Sequence, residues 1–253
     1  MPDPTPVLAR RLLAEFVGTG LLVAVVIGSG IAAQELSPQD TGLQLLQNSI
    51  TTVFGLGVLI LVFGPVSGAH FNPVVSAVDW ALGRRNGTGL RGSDVLGYAA
   101  AQLLGGIAGA VLANLMFDLP VLQISDTGRT GLGLWVGEVV ATAGLIAVIV
   151  ALARTGRASL SAAAVASWIG AAYWFTSSTS FANPAVTLSR MFSDTFAGIQ
   201  PSSVPAFVLA QILGAVVGAV LVTALYPDAP AAAGSMVVPA EATPHRPSDR
   251  SRP

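Results

Sequence analysis

The segment Ser180-Phe-Ala-Asn-Pro-Ala-Val-Thr-Leu-Ser-Arg190 places an Asn-Pro pair just after a long apolar run. Asn is a favourable helix N-cap and Pro fits the first helical turn, so Asn183 and Pro184 predict a helix start. A polar break of this kind is costly wherever its backbone faces lipid. The segment therefore predicts that protein groups or a solute satisfy the polar atoms at this point.

The composition is that of a membrane protein. Hydrophobic residues make up 53% of the 253 residues, charged residues only 10%, and the mean hydropathy is +0.70. Soluble domains carry about 25% charged residues. Apolar runs of about 20 residues are long enough to cross a bilayer as helices. Six such runs are present, at 8–32, 43–64, 95–117, 132–153, 158–178 and 204–226.

The positions of the arginines predict the orientation, because basic residues are retained on the cytoplasmic side. With six spans, ten of the 12 basic residues fall on one side. They are Arg10, Arg11, Arg84, Arg85, Arg91, Arg154, Arg157, Arg246, Arg250 and Arg252. Both termini are therefore predicted to be cytoplasmic, in a multi-pass protein of the plasma (inner) membrane. Residues 1–7 form the short N-terminal segment, and 227–253 form a Pro/Ala/Ser-rich tail that we expect to be disordered.

Three markers recur in the same order in two halves of the chain, at about 8–117 and 132–226. Each half has a Glu in its first span, then an Asn-Pro pair, then a Gln in its third span. The pairs are Glu15 and Glu138, Asn72-Pro73 and Asn183-Pro184, and Gln102 and Gln211. Because three spans is an odd number, the second half enters the membrane from the opposite side. The halves therefore form an inverted repeat.

Each Asn-Pro pair is predicted to start a half-helix, at Pro73–Leu82 and Pro184–Phe192, too short to span the bilayer. Entering from opposite sides, the two helix N-termini meet near the bilayer centre. Each contributes roughly +0.5 elementary charge there, which repels cations and protons. The predicted fold is an all-α membrane protein with six transmembrane helices and two re-entrant half-helices.

This combination of motifs resembles the major intrinsic protein family, the aquaporins and glycerol facilitators, over about residues 8–226. The resemblance implies a pore centre at Asn72, Pro73, Val74, Asn183, Pro184 and Ala185, where the Asn side chains donate to a single file of solutes. It implies that the His70 backbone carbonyl lines the cytoplasmic half of the pore. It also implies that Glu15 and Glu138 hold the re-entrant loops, and that the chain forms a homotetramer with one pore per subunit.

The chain departs from the family at the outer constriction, the selectivity filter. Family members usually have Arg directly after the second Asn-Pro-Ala, and this chain has Val186. The resemblance places Ser180, three residues before the second Asn, in the same ring. The resemblance also places in this ring a residue of the fifth span about twelve before that Asn, which is Ala171.

The second-span member of the filter has two candidates. Counting from the Gly-Leu-Gly of that span gives Phe54, which we prefer, and counting back from Asn72 gives Thr52. Arg190, four residues after Val186, is a candidate filter neighbour. It either substitutes for the missing Arg or points outward to loop acids such as Asp194.

The predicted ring of Phe54, Ala171, Ser180 and Val186 contains one hydroxyl and no cation. We expect it to be wider and more apolar than a water filter. Such a ring suits a passive channel for small uncharged solutes: glycerol-like polyols, metalloid hydroxides such as arsenite, and water. The motif region resembles a bacterial branch of the family often associated with arsenic handling, an association by analogy. A water-selective aquaporin is the alternative.

Other functional classes lack the residues they need. An enzyme requires a nucleophile with a base, or a metal cluster, and the chain has no Cys and two His, His70 and His245. A coupled transporter requires ion-binding polar residues in its spans, and a structural junction protein would not conduct. We therefore expect no catalysis, no metal ion, no cofactor and no nucleic-acid partner, and the partners are neutral solutes and the lipid bilayer.

Overall fold

The computed structural model describes residues 6–84 and 87–227, which are helical with short connections. The predicted tail beyond Pro227 and residues 1–5 lie outside these ranges. The described residues form eight α-helices: α1 Leu8–Leu36, α2 Thr41–Ser67, α3 Pro73–Gly83, α4 Gly92–Met116, α5 Leu132–Arg154, α6 Ser161–Phe175, α7 Pro184–Ser189 and α8 Val204–Leu225.

Six of these helices are long and apolar enough to cross a membrane, which confirms the predicted number of spans. They are α1, α2, α4, α5, α6 and α8, and short 3-10 turns at Ala158–Leu160 and Pro201–Ser203 extend the starts of α6 and α8. Even the shortest span, 18 residues, is about 27 Å long at 1.5 Å per residue. The ends differ from prediction by a few residues, since α1 and α2 continue to Leu36 and Ser67.

The remaining helices, α3 and α7, are the two half-helices, with 11 and 6 residues. Each follows an Asn in extended conformation whose side chain caps the first turn, and each has Pro at its start. The second is shorter than predicted because its last residues, Arg190–Phe192, tighten into a 3-10 turn. Helix ends commonly tighten in this way, since the final carbonyls lack partners further along the helix.

The two halves of the repeat pack alike. In the first half α1 packs against α2 and α4, and in the second α5 packs against α6 and α8. At the first contact a Cβ on Gly105 or Gly109 would lie under 3 Å from a backbone oxygen of α1, and Gly214 and Gly218 stand in the same relation to α5. Small residues spaced by four thus bring the helix backbones into contact, as they do in many membrane proteins.

Gly109→Ala tests this contact, because its added methyl group would meet the carbonyl oxygen of Gly20. Overpacking of this kind costs roughly 1–3 kcal/mol, so we expect a lower thermal unfolding midpoint in detergent. Gly57→Ala is the matched control, since its nearest neighbours would be 3.7 Å away, an ordinary contact. Equal midpoints for the two variants would contradict close packing of α1 and α4.

Candidate functional site

The two Asn-Pro motifs meet in the interior and bond to each other's loops. Asn72 donates from Nδ2 to the carbonyl oxygen of Ala182 at 2.8 Å, and Asn183 donates from Nδ2 to that of Phe71 at 2.7 Å. Each Asn Oδ1 accepts an N–H from the first turn of its own half-helix, from Val74 in the first half and from Ala185 in the second. An amide nitrogen carries two hydrogens, so each Asn retains one for a solute.

The loops before these Asn residues adopt an uncommon backbone conformation. Ala69 and Phe71 in the first loop, and Ser180 and Ala182 in the second, have φ between 48° and 52°. Non-glycine residues rarely adopt this left-handed conformation, which costs free energy and tends to occur at functional sites. The surrounding structure must therefore hold both loops in place.

Glu15 holds the first loop. Its carboxylate is fully buried and accepts the backbone N–H groups of His70 at 3.0 Å and Phe71 at 2.7 Å. It also accepts from the Ser67 hydroxyl at 2.6 Å and from Gln102 Nε2 at 2.7 Å. Four donors to two oxygens compensate the burial of this carboxylate.

Glu138 holds the second loop in the same way. It accepts the backbone N–H groups of Phe181 and Ala182, both at 2.8 Å, and Nε2 of Gln211 at 2.6 Å. Gln211 also donates to Thr187 on the second half-helix, as Gln102 of the other half donates to a Ser on the first. Each Glu-Gln pair therefore ties a spanning helix, a loop and a half-helix together.

A narrow cavity runs beside the two motifs, and four spans give it an apolar wall. Along each of these helices the lining residues are four apart, which places them on one helix face. They are Leu22 and Val26 of α1, Leu56 and Ile60 of α2, Leu145 and Ile149 of α5, and Val165 and Ile169 of α6. The rest of the lining comes from the two loops, Asn72, Asn183 and the side chains described next.

Hydroxyl groups cluster at one end of the cavity. Thr52 of α2 and Tyr173 of α6 line it, and their hydroxyl oxygens lie 3.1 Å apart. Ser180 also lines it, and its buried hydroxyl has no hydrogen-bond partner among the described residues. Val186 lines the cavity from the first turn of α7. This is the end at which the sequence predicted the outer filter.

Two members of the predicted ring are wrong. Phe54, 70% exposed, and Ala171 lie with Trp174 in a groove on the outer surface between α2 and α6. Thr52 and Tyr173, 2% and 3% exposed, face the cavity instead. In each helix the error is two residues, which rotates a side chain by about 200° around the axis. The count back from the first Asn, which gave Thr52, agrees with the structure.

Arg190 also lines the cavity and is 3% exposed. Its Nε donates to the carbonyl oxygen of Ala197, and its guanidinium carbon lies 3.4 Å from the centre of the Phe181 ring. The outward alternative is wrong, because Asp194 instead accepts the backbone N–H of Asp126 at 3.0 Å. The ring around this end therefore has three hydroxyls and a guanidinium, where the sequence predicted one hydroxyl and no cation.

His70 lines the cavity through the first loop. Its Nδ1 lies 3.0 Å from the hydroxyl of Ser76, and its ring centre is 5.4 Å from that of Tyr98. Tyr98 in turn donates to the carbonyl oxygen of Ser67 and accepts from Arg11. That the His70 carbonyl faces the solute stays a prediction. Within residues 6–84 and 87–227 no three His, Cys, Asp or Glu residues are placed to hold a metal ion.

Sequence reasoning missed Tyr173, Phe181 and Arg129. The first was detectable, because it continues the spacing of four that begins at Val165 and Ile169. Arg129 was not, because it reaches its position from the loop between α4 and α5. No local pattern in the sequence assigned Phe181 to the site either. The Arg129 guanidinium lies 5.0 Å from the Phe181 ring centre and donates to carbonyls of residues 196 and 198.

Comparison with known proteins is consistent with this geometry. The Major intrinsic protein family model matches residues 5–179 and 159–246. Aquaglyceroporin AqpS of Rhizobium meliloti (strain 1021) is 51% identical over 205 residues, 81% of this chain and 85% of that protein. The glycerol uptake facilitator protein of Pseudomonas aeruginosa is 31% identical over 180 residues, 61% of each chain.

A solved structure also has this fold. The aquaglyceroporin from Plasmodium falciparum matches with a TM-score of 0.58 at 21% identity, over 87% of this chain and 95% of that one. At this level of identity the match establishes the arrangement of helices alone.

Asn183→Asp tests the centre of the cavity. The variant replaces the N–H donor by a carboxylate oxygen facing the Phe71 carbonyl, and it places a charge at the most costly depth of the bilayer. We expect solute flux into proteoliposomes to fall by about tenfold or more. Gln39→Glu, an amide-to-acid change at an exposed loop position, should leave flux unchanged. Wild-type flux through folded Asn183→Asp protein would refute the assignment.

Proposed function

Since this chain belongs to the major intrinsic protein family, we propose that it is a passive channel for glycerol-like polyols, metalloid hydroxides such as arsenite, and water. At the coarser level it is a multi-pass membrane protein of a channel family, and its aquaglyceroporin relatives support passage of small uncharged solutes. The preference for polyols and the exclusion of ions are our proposals.

The observation that carries the proposal is the two-sided lining of the cavity. Residues four apart on four spans give it an apolar wall, and the two loops contribute Asn amides and the Ser180 hydroxyl. A polyol has the same division, since carbon atoms lie along one edge and hydroxyls along the other. It can therefore keep hydrogen bonds while its carbon atoms contact the apolar wall, which limits the cost of leaving water.

Metalloid hydroxides follow from the same chemistry. Arsenite in its neutral form carries hydroxyl groups and is similar to glycerol in size and hydrogen bonding. Groups that donate hydrogen bonds to a polyol would therefore donate them equally well to arsenite. The relative AqpS bears the name aquaglyceroporin, which supports the polyol class, and arsenite itself rests on this chemical likeness.

Ions should be excluded at the centre. Two helix N-termini, each carrying roughly +0.5 elementary charge, point at the place where Asn72 and Asn183 cross-bond. A cation there meets two positive dipole ends and loses its hydration shell. A proton wire through water would be interrupted by the two Asn donors, because they orient the water oxygen towards themselves.

We place the protein in the plasma (inner) membrane with both termini cytoplasmic. The arginines of the described loops support this orientation, and six spans put both ends of the chain on one side of the bilayer. We further propose a homotetramer with one channel per subunit, as in the family.

The proposal is tested on a single batch of proteoliposomes. Stopped-flow light scattering should show glycerol, urea, arsenite and water entering faster than into protein-free liposomes, while bilayer conductance for protons and monovalent cations stays at background. Faster entry of water alone would support the alternative, a water-selective aquaporin. Conductance well above background would overturn ion exclusion.

Val186→Arg tests the width of the outer end. Val186 lines the cavity and is buried, so a long cationic side chain there narrows the opening. We expect glycerol permeability to fall much more than water permeability, measured on the folded variant. Val186→Leu is the control for bulk without charge. A folded Val186→Arg protein with the wild-type glycerol-to-water ratio would show that this position does not set solute selection.

A further inference from the structure

Tyr98 of α4 is the largest fully buried side chain in the described part of the chain, and it lies beside the first re-entrant loop. Its hydroxyl donates to the carbonyl oxygen of Ser67 at 2.8 Å and accepts from Nε of Arg11 at 2.9 Å. Arg11 in turn pairs with Asp94, with 3.4 Å between Nη1 and Oδ2. The hydroxyl therefore connects the start of α1 to the end of α2.

The carbonyl that Tyr98 holds belongs to the residue from which the first loop begins. Ser67 is the last residue of α2, so its carbonyl has no partner further along the helix, and the Tyr98 O–H supplies one. The Ser67 hydroxyl donates to Glu15 at 2.6 Å and accepts the backbone N–H of Ala69 at 3.1 Å. Tyr98 thus supports the same loop that the buried glutamate holds.

The ring of Tyr98 also packs against His70, which lines the cavity. The two ring centres are 5.4 Å apart and the ring planes are inclined at 56°. On other sides, Nδ1 of the imidazole lies 3.0 Å from the hydroxyl of Ser76, and a Cβ on Gly68 would lie 3.1 Å from its Nε2. Three neighbours from a span, a half-helix and the loop therefore hold the imidazole.

The second half of the repeat has the same packing without the hydroxyl. Phe207, like Tyr98, lies four residues before the Gln of its half. Its ring centre is 5.2 Å from that of Phe181, which occupies the place of His70 in the second loop. Packing at this place is therefore satisfied by a Phe. A buried hydroxyl costs free energy unless it is bonded, so the extra oxygen of Tyr98 points to a task specific to the first half.

We propose that Tyr98, fixed by Arg11, is a positioning residue for solute passage: it keeps the His70 imidazole against Ser76 and out of the path of the solute. The inference rests on the proposed channel function. An imidazole released from these neighbours has the cavity to enter, because Ser76, Gly68 and Tyr98 occupy its other sides. A glycerol molecule is wider than a water molecule, so a displaced imidazole obstructs glycerol more.

Tyr98→Phe is the decisive variant, because it gives the first half the side chain that the second half already has. It deletes both hydrogen bonds of the hydroxyl and keeps the ring. We expect glycerol permeability of proteoliposomes to fall by about fivefold, on the scale of one hydrogen bond, and water permeability to fall much less. Tyr226→Phe, which removes the same atom at the end of α8, should leave both permeabilities unchanged.

The effect should depend on His70. A His70→Ala background has no imidazole to release, so adding Tyr98→Phe to it should leave its glycerol-to-water ratio unchanged. A further fall of the ratio in that background overturns the inference. So does the wild-type ratio in folded Tyr98→Phe protein, because a purely structural role would lower the thermal unfolding midpoint and leave the ratio alone.

The imidazole is also directly observable, because His70 and His245 are the two histidines of the chain. With His245→Asn as the background, one imidazole remains in the NMR spectrum of protein labelled at histidine. Its signals should shift or broaden when Tyr98→Phe is added, and unchanged signals overturn the inference. Should Tyr98→Phe not fold, Arg11→Met decides through the permeability ratio, because it removes the donor to the Tyr98 hydroxyl. A lower glycerol-to-water ratio supports the inference, and the wild-type ratio refutes it.

Failure of the underlying function would look different. Wild-type protein that admits no more glycerol than protein-free liposomes overturns the proposed channel function and, with it, the role of Tyr98 in passage. Wild-type protein that passes glycerol, together with a ratio and imidazole signals that do not respond to Tyr98, overturns this inference alone.

Discussion

The hydrogen bonds from two buried glutamates to loop backbone are the interaction on which the rest of the structure depends. A chain that breaks its helix inside a bilayer leaves backbone N–H groups that lipid cannot satisfy. Glu15 and Glu138 accept two such groups each, and Gln102 and Gln211 complete the shell around the carboxylates. Because the left-handed residues of the loops are costly, these carboxylates are what makes a broken helix stable here.

Once the loops are fixed, the centre of the cavity follows. The loop N–H groups point towards the glutamates, and the carbonyls of Phe71 and Ala182 point towards the opposite motif, where the two Asn side chains bond to them. The half-helices therefore stop with their N-termini facing each other. The apolar wall arises separately, from residues four apart on the spans. The two-sided lining is thus the product of two independent rules, one for re-entrant loops and one for helix faces.

Sequence reasoning located the parts of the site whose chemistry is local and occurs twice. Asn183 and Glu138 each have a partner at the matching place in the first half, and Asn-Pro has a specific meaning at a helix start. It failed for Phe54 and Ala171, because a helix face is set by rotation, and a count that slips by two residues reverses the side that faces inward. The sequence also left two directions open for Arg190. Its neighbours there come from a distant loop, which no local pattern specifies.

The centre and the outer end of the channel are held in place by different contacts. The centre is held by the glutamate bonds and the paired caps, which leave little room for variation without losing the fold. The outer end is held by a stack of Arg190 and Arg129 on Phe181 and by loop carbonyls at residues 196–198. With Val186 inside α7 and the cation one turn beyond it, the charge at this end no longer depends on the Asn-Pro-Ala turn. A change in the outer loop can therefore redirect the guanidinium, while the glutamate bonds and the paired caps at the centre stay as they are.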